Sequence, residues 1–230
     1  MQTLHMLVMG LTIATLGIQS AFSQNNLPMP EGFRDLRLGM TRQAFLSTRT
    51  NAQPFELFSE LSPRTNHISE MYMEEIQGHP FFEHTMYRLQ SNLLDTVVFF
   101  GRIDDSEPNK GERFLNGLLS SWGEPAQSDV VELDEGKGSS MAPAAIWKNN
   151  GILIAAAFTP DARAKTTGNG SLQLKIQRDQ EGRGSVLDKV FIVPSISQKE
   201  KEAILVPVHS VVTEWRMSQP KPENPVQPKQ

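Results

Sequence analysis

The sequence predicts an α+β fold built from two helix-plus-antiparallel-meander units, which together read as a pseudo-repeat. Three observations carry that prediction. Two short helical stretches each precede a run of strand-like segments. Those segments are joined by tight turns, Ser91-Asn92 and Asn149-Asn150-Gly151; the second is a strong hairpin signal because Asn and Gly tolerate positive φ. Hydrophobic residues make up 38% of the 230-residue chain, close to the share of a domain with a packed core.

The two ends stand apart from this body. Met1–Ser23 contains no Asp, Glu, Lys or Arg, and Met6–Ile18 is an apolar run of signal-peptide length, too short for a bilayer span. Ala21-Phe22-Ser23 places small residues where a signal peptidase requires them, which predicts cleavage before Gln24 and export to the periplasm or the extracellular space. The competing reading, an N-terminal helix docked on the core, fits less well because the stretch is uncharged all round and not amphipathic. Residues 24–32 are polar and punctuated by proline, an extended leader. Residues 218–230 carry four prolines and one large apolar residue, Val226, so they cannot bury enough surface to offset their ordering entropy. The globular domain is expected over 33–217, with sub-units at about 33–103 and 104–193 and an extension over 194–217.

Composition excludes several chemistries. The chain has no cysteine, hence no disulfide framework, thiolate metal site or cysteine nucleophile. Its net charge of −4 argues against a general nucleic-acid binder, which needs a clustered basic face. No stretch after the leader approaches the length of a membrane span, so no transmembrane anchor is expected in the mature chain.

In the first unit, Phe33–Leu38 alternates apolar and charged residues, the period of a half-buried strand. Gly39-Met40 turns the chain, and Thr41 is placed to cap a short helix through Phe45-Leu46. After a loop, Ile68–Gln77, Glu83–Gln90 and Leu93–Ile103 predict strands. The last contains Val97-Val98-Phe99-Phe100, apolar on both faces, which marks a central strand.

In the second unit, Phe114, Leu115, Leu118, Leu119 and Trp122 recur at helical spacing and predict a helix over about Asn109–Ser121, ended by Gly123 and Pro125. Strands follow at Asp129–Leu133, Ala144–Lys148, Ile152–Phe158 and Ser171–Gln177. In the last, Leu172, Leu174 and Ile176 face one way and Gln173, Lys175 and Gln177 the other, which predicts one wet sheet face. Val186–Val193 predicts a further strand. Ser197-Gln198-Lys199-Glu200 has capping-box spacing and starts a helix that Pro207 should interrupt.

Leu36-Arg37-Leu38-Gly39-Met40-Thr41, with Phe45 and Leu46 after it, resembles the opening of small bacterial envelope proteins, notably the outer-membrane lipoproteins of the SmpA/OmlA type. Gly123-Glu124-Pro125 looks like the Gly-x-Pro corner that ends the helix in that family, although here it closes the second helix. The resemblance implies an envelope role; lipid attachment is not implied, because the lipid-bearing cysteine is missing. The doubled helix-plus-meander outline is also similar to the β-lactamase-inhibitor-protein fold, a binding module.

Chemistry-bearing residues are sparse. His79 and His84 lie on opposite faces if both are in a strand, and Pro80 excludes a helix, so the pair makes a poor metal site. His67 and His209 have no obvious partner in sequence. Asp104-Asp105-Ser106-Glu107 lacks the alternation of a calcium loop and suits a helix N-terminus, where acidic groups meet the positive end of the dipole. Gly136–Ser140 lacks the glycine and lysine positions of a phosphate loop, and Asn169-Gly170-Ser171 is a glycosylation sequon in form. Trp122 belongs to the helix's apolar face. Tyr72, Phe81 and Phe82 have polar neighbours and are the candidates for an exposed partner contact.

The chain is therefore expected to be an exported, non-catalytic binding or envelope-associated module without a cofactor. Its expected partner is an envelope protein or cell-wall component. The alternative is a periplasmic hydrolase or metal-dependent enzyme using His67, His79 or His84 with Glu74 or Glu75.

Overall fold

The computed structural model describes residues 32–55, 69–104, 106–107, 109–134, 139–149, 151–159, 170–179 and 194–220. The expected signal peptide, the strand at Val186–Val193, His67, Asn169 and most of the Gly136–Ser140 loop lie outside these residues.

Helix α1 spans Arg42–Thr48, and Thr41 caps it by accepting a hydrogen bond from the Ala44 amide at 3.3 Å. The helix buries Phe45 edge-on against Tyr72 and Tyr87. The segment before it is not the predicted strand. Phe33 and Leu36 are buried three residues apart, and the Leu36 amide donates to the Phe33 carbonyl, so the chain turns there. A turn that buries every third residue and a strand that buries every second leave overlapping apolar patterns over six residues.

Eight strands follow: β1 (Gln53–Pro54), β2 (Ser69–Glu75), β3 (His84–Gln90), β4 (Leu93–Ile103), β5 (Gln127–Asp134), β6 (Ser139–Asn149), β7 (Ile152–Phe158) and β8 (Gly170–Arg178). They form one antiparallel sheet in the order β1-β2-β3-β4-β8-β7-β6-β5. The sheet is continuous where two units were expected, because β4 and β8 pair from Thr96↔Gln177 to Ile103↔Gly170. β4 lies near the middle, as its apolar run requires. Ser91 and Asn92 turn the β3–β4 hairpin with positive φ at both residues, and Gly151 does the same between β6 and β7.

Helix α2 (Lys110–Trp122) ends at Gly123, whose φ of 75° only glycine adopts readily. Helix α3 (Gln198–Ser218) begins with the predicted capping box at Ser197 and Glu200. It runs unbroken through Pro207, contrary to the expected interruption. A proline inside a helix costs about 3 kcal/mol, whereas burying Leu205, Val208, Val211 and Val212 contributes about 1.5–3 kcal/mol each. Tertiary packing wins. Among the described residues, no helix is long and apolar enough to cross a membrane.

All three helices contribute to a core on one sheet face, where Phe45, Phe114, Leu115, Leu119, Val208 and Val211 meet Tyr87, Val97, Phe99, Ile154 and Leu174. A smaller cluster of Val131, Leu133, Ile146, Leu153 and alanines lies on the opposite face of β5–β7. That second face is not simply wet: Gln173 is 8% exposed and Gln177 only 4%. β8 sits between β4 and β7, so neighbours on both sides crowd its polar side chains.

Candidate functional site

On the face opposite the helices, register sets the rows of side chains. Arg88 on β3 is directly opposite Thr96 on β4, and Thr96 is opposite Gln177 on β8. The adjacent row runs Met86, Val98, Lys175 and Ala155. Leu94 pairs with Leu89 on the helix face, so alternation directs Asp95 to the helix-free face. A register shift between Arg88 and Leu89 then makes Thr96 the partner of Arg88, leaving Asp95 as the extra residue of a bulge and bringing Asp95 and Thr96 to the same face. Bulges of this kind re-aim a side chain. Here the Arg88 Nη2 donates to Asp95 Oδ2 at 2.5 Å, and the Thr96 hydroxyl donates to the same oxygen at 2.9 Å.

The result is a mixed-charge cluster across β3, β4 and β8. The Asp95 side chain is 8% exposed and Thr96 and Gln177 are buried, whereas the Arg88 side chain is 40% exposed and carries most of the cluster's contact with solvent. Burial pushes the Lys175 ammonium down to about 8, nearby Arg88 adds to the fall, and Asp95 opposes it. A lysine so shifted is close to shedding its proton at neutral pH, a condition that concentrates at functional sites. Two buried atoms here lack a hydrogen-bond partner, Arg88 Nε and Gln177 Oε1. Buried polar atoms are ordinarily paired, so each leaves a bond for something else to make. Chemically, the cluster sets a guanidinium and an ammonium beside one unused amide oxygen.

Other polar side chains pair among themselves, with the buried Arg49 Nε left without a partner. On the helix face, the Tyr87 hydroxyl donates to Glu74 Oε2 at 2.7 Å while Arg49 stacks over Phe33 and pairs with Asp35. Burial and the Glu74 carboxylate drive the Tyr87 phenol far above its ordinary range. Arg42, Glu70 and Tyr72 form a second such chain. A groove of about 510 Å³ lies between α3 and the α2–β5 corner, lined by Glu124, Ser128, His209 and Arg216 among others. Its flanking charges are used internally: Arg216 pairs with Glu124.

The residues singled out from sequence fall elsewhere. Tyr72 and Phe82 are core residues, and Phe81 is half-buried with its ring 5.6 Å from that of Phe114. The exposed aromatic patch expected there is therefore interior packing: Phe82 also meets Phe99 and Phe114, and the polar neighbours of Tyr72 along β2, Glu70 and Glu74, share its face and accept from tyrosine hydroxyls there. Trp122 packs on Trp147, whose indole N–H donates to the Gly123 carbonyl. His79 lies in the turn between β2 and β3, where its Nδ1 accepts from the Phe81 and Phe82 amides. His84 stands opposite Glu75 on the helix-free face, while Glu74 is on the other face. His79, His84, Glu74 and Glu75 do not converge. Asp104 accepts from the Ser106 amide, and Glu107 pairs with Arg113 and Lys110, while the α2 N-cap, Asn109, makes no side-chain capping bond; Asp105 lies outside the described residues.

Arg88, Asp95, Thr96 and Gln177 were not candidates on sequence grounds. One signal was present, an aspartate inside the otherwise apolar stretch Leu93–Phe100. No family model, curated protein or solved structure matches the chain.

Proposed function

We infer that the chain is an exported, non-catalytic binding module that recognises its partner on the helix-free sheet face around Arg88, Asp95 and Lys175. The observation that supports this most is the bulge, which sets Asp95 and Thr96 on one face so that the buried carboxylate holds Arg88 beside Lys175. Arg88, with its side chain 40% exposed, is the member of this cluster that a partner can reach. The expected partner is an envelope protein or a cell-wall component, in keeping with the apolar, uncharged N-terminal segment. The cluster lies where the β1–β4 meander meets the β5–β8 meander, at β4 and β8. Junctions between structural units are favoured places for binding sites. In this reading the two helix-plus-meander halves supply one side of the site each.

The test has two arms. The exported full chain should have a mass corresponding to a start at Gln24, and it should cosediment with insoluble cell-wall material or an envelope fraction. An Arg88→Lys, Lys175→Met variant that folds normally should lose that retention. Retention unchanged in the variant, or an intact Met1 on a cytoplasmic product, contradicts the reading.

A further inference from the structure

We propose that the Asp129–Lys201 ion pair is a latch that closes the free edge of β5 against strand addition by a second copy of the chain.

Among the described residues, β5 is the last strand of the sheet and pairs with β6 alone. In an antiparallel pair, successive residues turn their N–H and C=O alternately toward the partner strand and away from it. Two observations turn Val130 away. It stands opposite Pro143, which has no N–H to give, and its own amide donates to Asp129 Oδ1 at 2.8 Å. By the same alternation Ser128 and Glu132 also direct their backbone groups outward.

Such a row of outward donors and acceptors is a template for another strand. This one is its own complement. Two β5 strands set antiparallel about a two-fold axis at Val130 place the valines opposite each other. Ser128 of each chain then faces Glu132 of the other, a hydroxyl donor against a carboxylate. The β-branched pair Val130-Val131 suits a strand paired on both sides.

The latch lies across the middle of this row. Asp129 belongs to the helix-free side, because its register partner Ala144 and the residue two positions on, Val131, lie in the apolar cluster there. Lys201 comes from α3, on the other side of the sheet. The two side chains meet round the edge, with Lys201 Nζ 2.6 Å from Asp129 Oδ1, the same oxygen that accepts from the Val130 amide. One carboxylate oxygen thus occupies the central donor of the row and is itself held by a cation. Pairing about Val130 would also bring the Asp129 carboxylates of two copies close together, and like charges so placed are destabilising.

The experiment is sedimentation equilibrium of the full chain over a range of concentrations, unsubstituted, as Asp129→Ala, and as Asp129→Ala with Glu132→Pro. Asp129→Ala should raise the association constant at least about tenfold, because a backbone donor is released from a charged acceptor. Glu132→Pro should return the double variant to the behaviour of the unsubstituted chain, since proline at an outward position deletes an edge donor and spares the bonds to β6. Should Asp129→Ala fail to fold, Lys201→Gln reads the same latch with every residue of β5 in place. Hydrogen exchange supplies a measurement that needs no variant: the Val130 amide should exchange at least about tenfold more slowly than those of Ser128 and Glu132 on the same edge. A folded Asp129→Ala or Lys201→Gln that sediments like the unsubstituted chain overturns the proposal. So does association that Glu132→Pro leaves in place, or equal exchange at the three amides.

Discussion

Arg88 and Asp95 meet at 2.5 Å across a β-bulge, although they are seven residues apart and on different strands of one hairpin. The bulge puts Asp95 and Thr96 on the same face, so the carboxylate accepts from both Arg88 and the Thr96 hydroxyl. Asp95→Ala removes the acceptor for both Arg88 and the Thr96 hydroxyl. With Arg88 partly solvated, the expected loss is about 1–2 kcal/mol in urea denaturation, toward the low end of the range for bonds to charged groups. A change within experimental error would mean the pair does not hold the bulge.

Lys175 makes stability depend on alkaline pH. Burial lowers its folded-state value from 10.5 to about 8, so between those limits the unfolded chain binds the proton more tightly. Stability attributable to this group therefore rises with pH across the window from 8 to 10.5, by up to about 3 kcal/mol. Below pH 8 the full penalty is present. Lys175→Met should remove the rise, which paired denaturant melts at pH 7.5 and 9.5 would detect.

The chain has two tyrosines, and both phenols are raised, Tyr87 chiefly by burial and then by Glu74, and Tyr72 by burial and Glu70. Folding here favours the protonated form, so this contribution to stability is present below pH 10 and falls as pH climbs beyond it. Ultraviolet titration should show little ionisation near pH 10 in the folded protein and a joint step on unfolding. Tyr87→Phe should cost about 1.5–3 kcal/mol, because the Glu74 carboxylate loses a buried donor.

Two glycines separate crowding from entropy. A Cβ at Gly101 would lie 1.9 Å from the Phe81 carbonyl oxygen, so Gly101→Ala forces backbone apart and should destabilise by about 1–3 kcal/mol or more. Gly117, within α2, has open space at that position. Gly117→Ala should stabilise by about 0.5–1 kcal/mol through helix propensity. Opposite signs in thermal melts would verify both.

Legibility in the sequence followed the range of the interactions. The strand Ile152–Phe158 was predicted to the residue, and the α3 capping box was plain, because a turn signal or a cap acts over three or four positions. β4 was recognised as central from its two-sided apolarity. The helix through Pro207 was not, since what sustains it is burial of Val208 and Val211 against distant elements. The candidate site was hidden for the same reason. Lys175 looked like a solvated position until β4 and β7 packed beside it, and its neighbours Arg88 and Asp95 come from strands about eighty residues earlier. Tyr72 shows the converse: Glu70 and Glu74 flank it on its own face and accept from tyrosine hydroxyls, so polar neighbours in sequence say nothing of exposure.

The central claim is that the helix-free face carries a cluster of Arg88, Asp95 and Lys175 in which burial holds the ammonium well below its ordinary value. The most direct measurement is the titration of Lys175 itself, followed by the chemical shift of its ε-carbon in the full chain and in Asp95→Asn. The predicted result is a midpoint near 8 that falls further in the variant, because the Asp95 carboxylate opposes the shift. A midpoint at the ordinary lysine value, unchanged by the substitution, would contradict it.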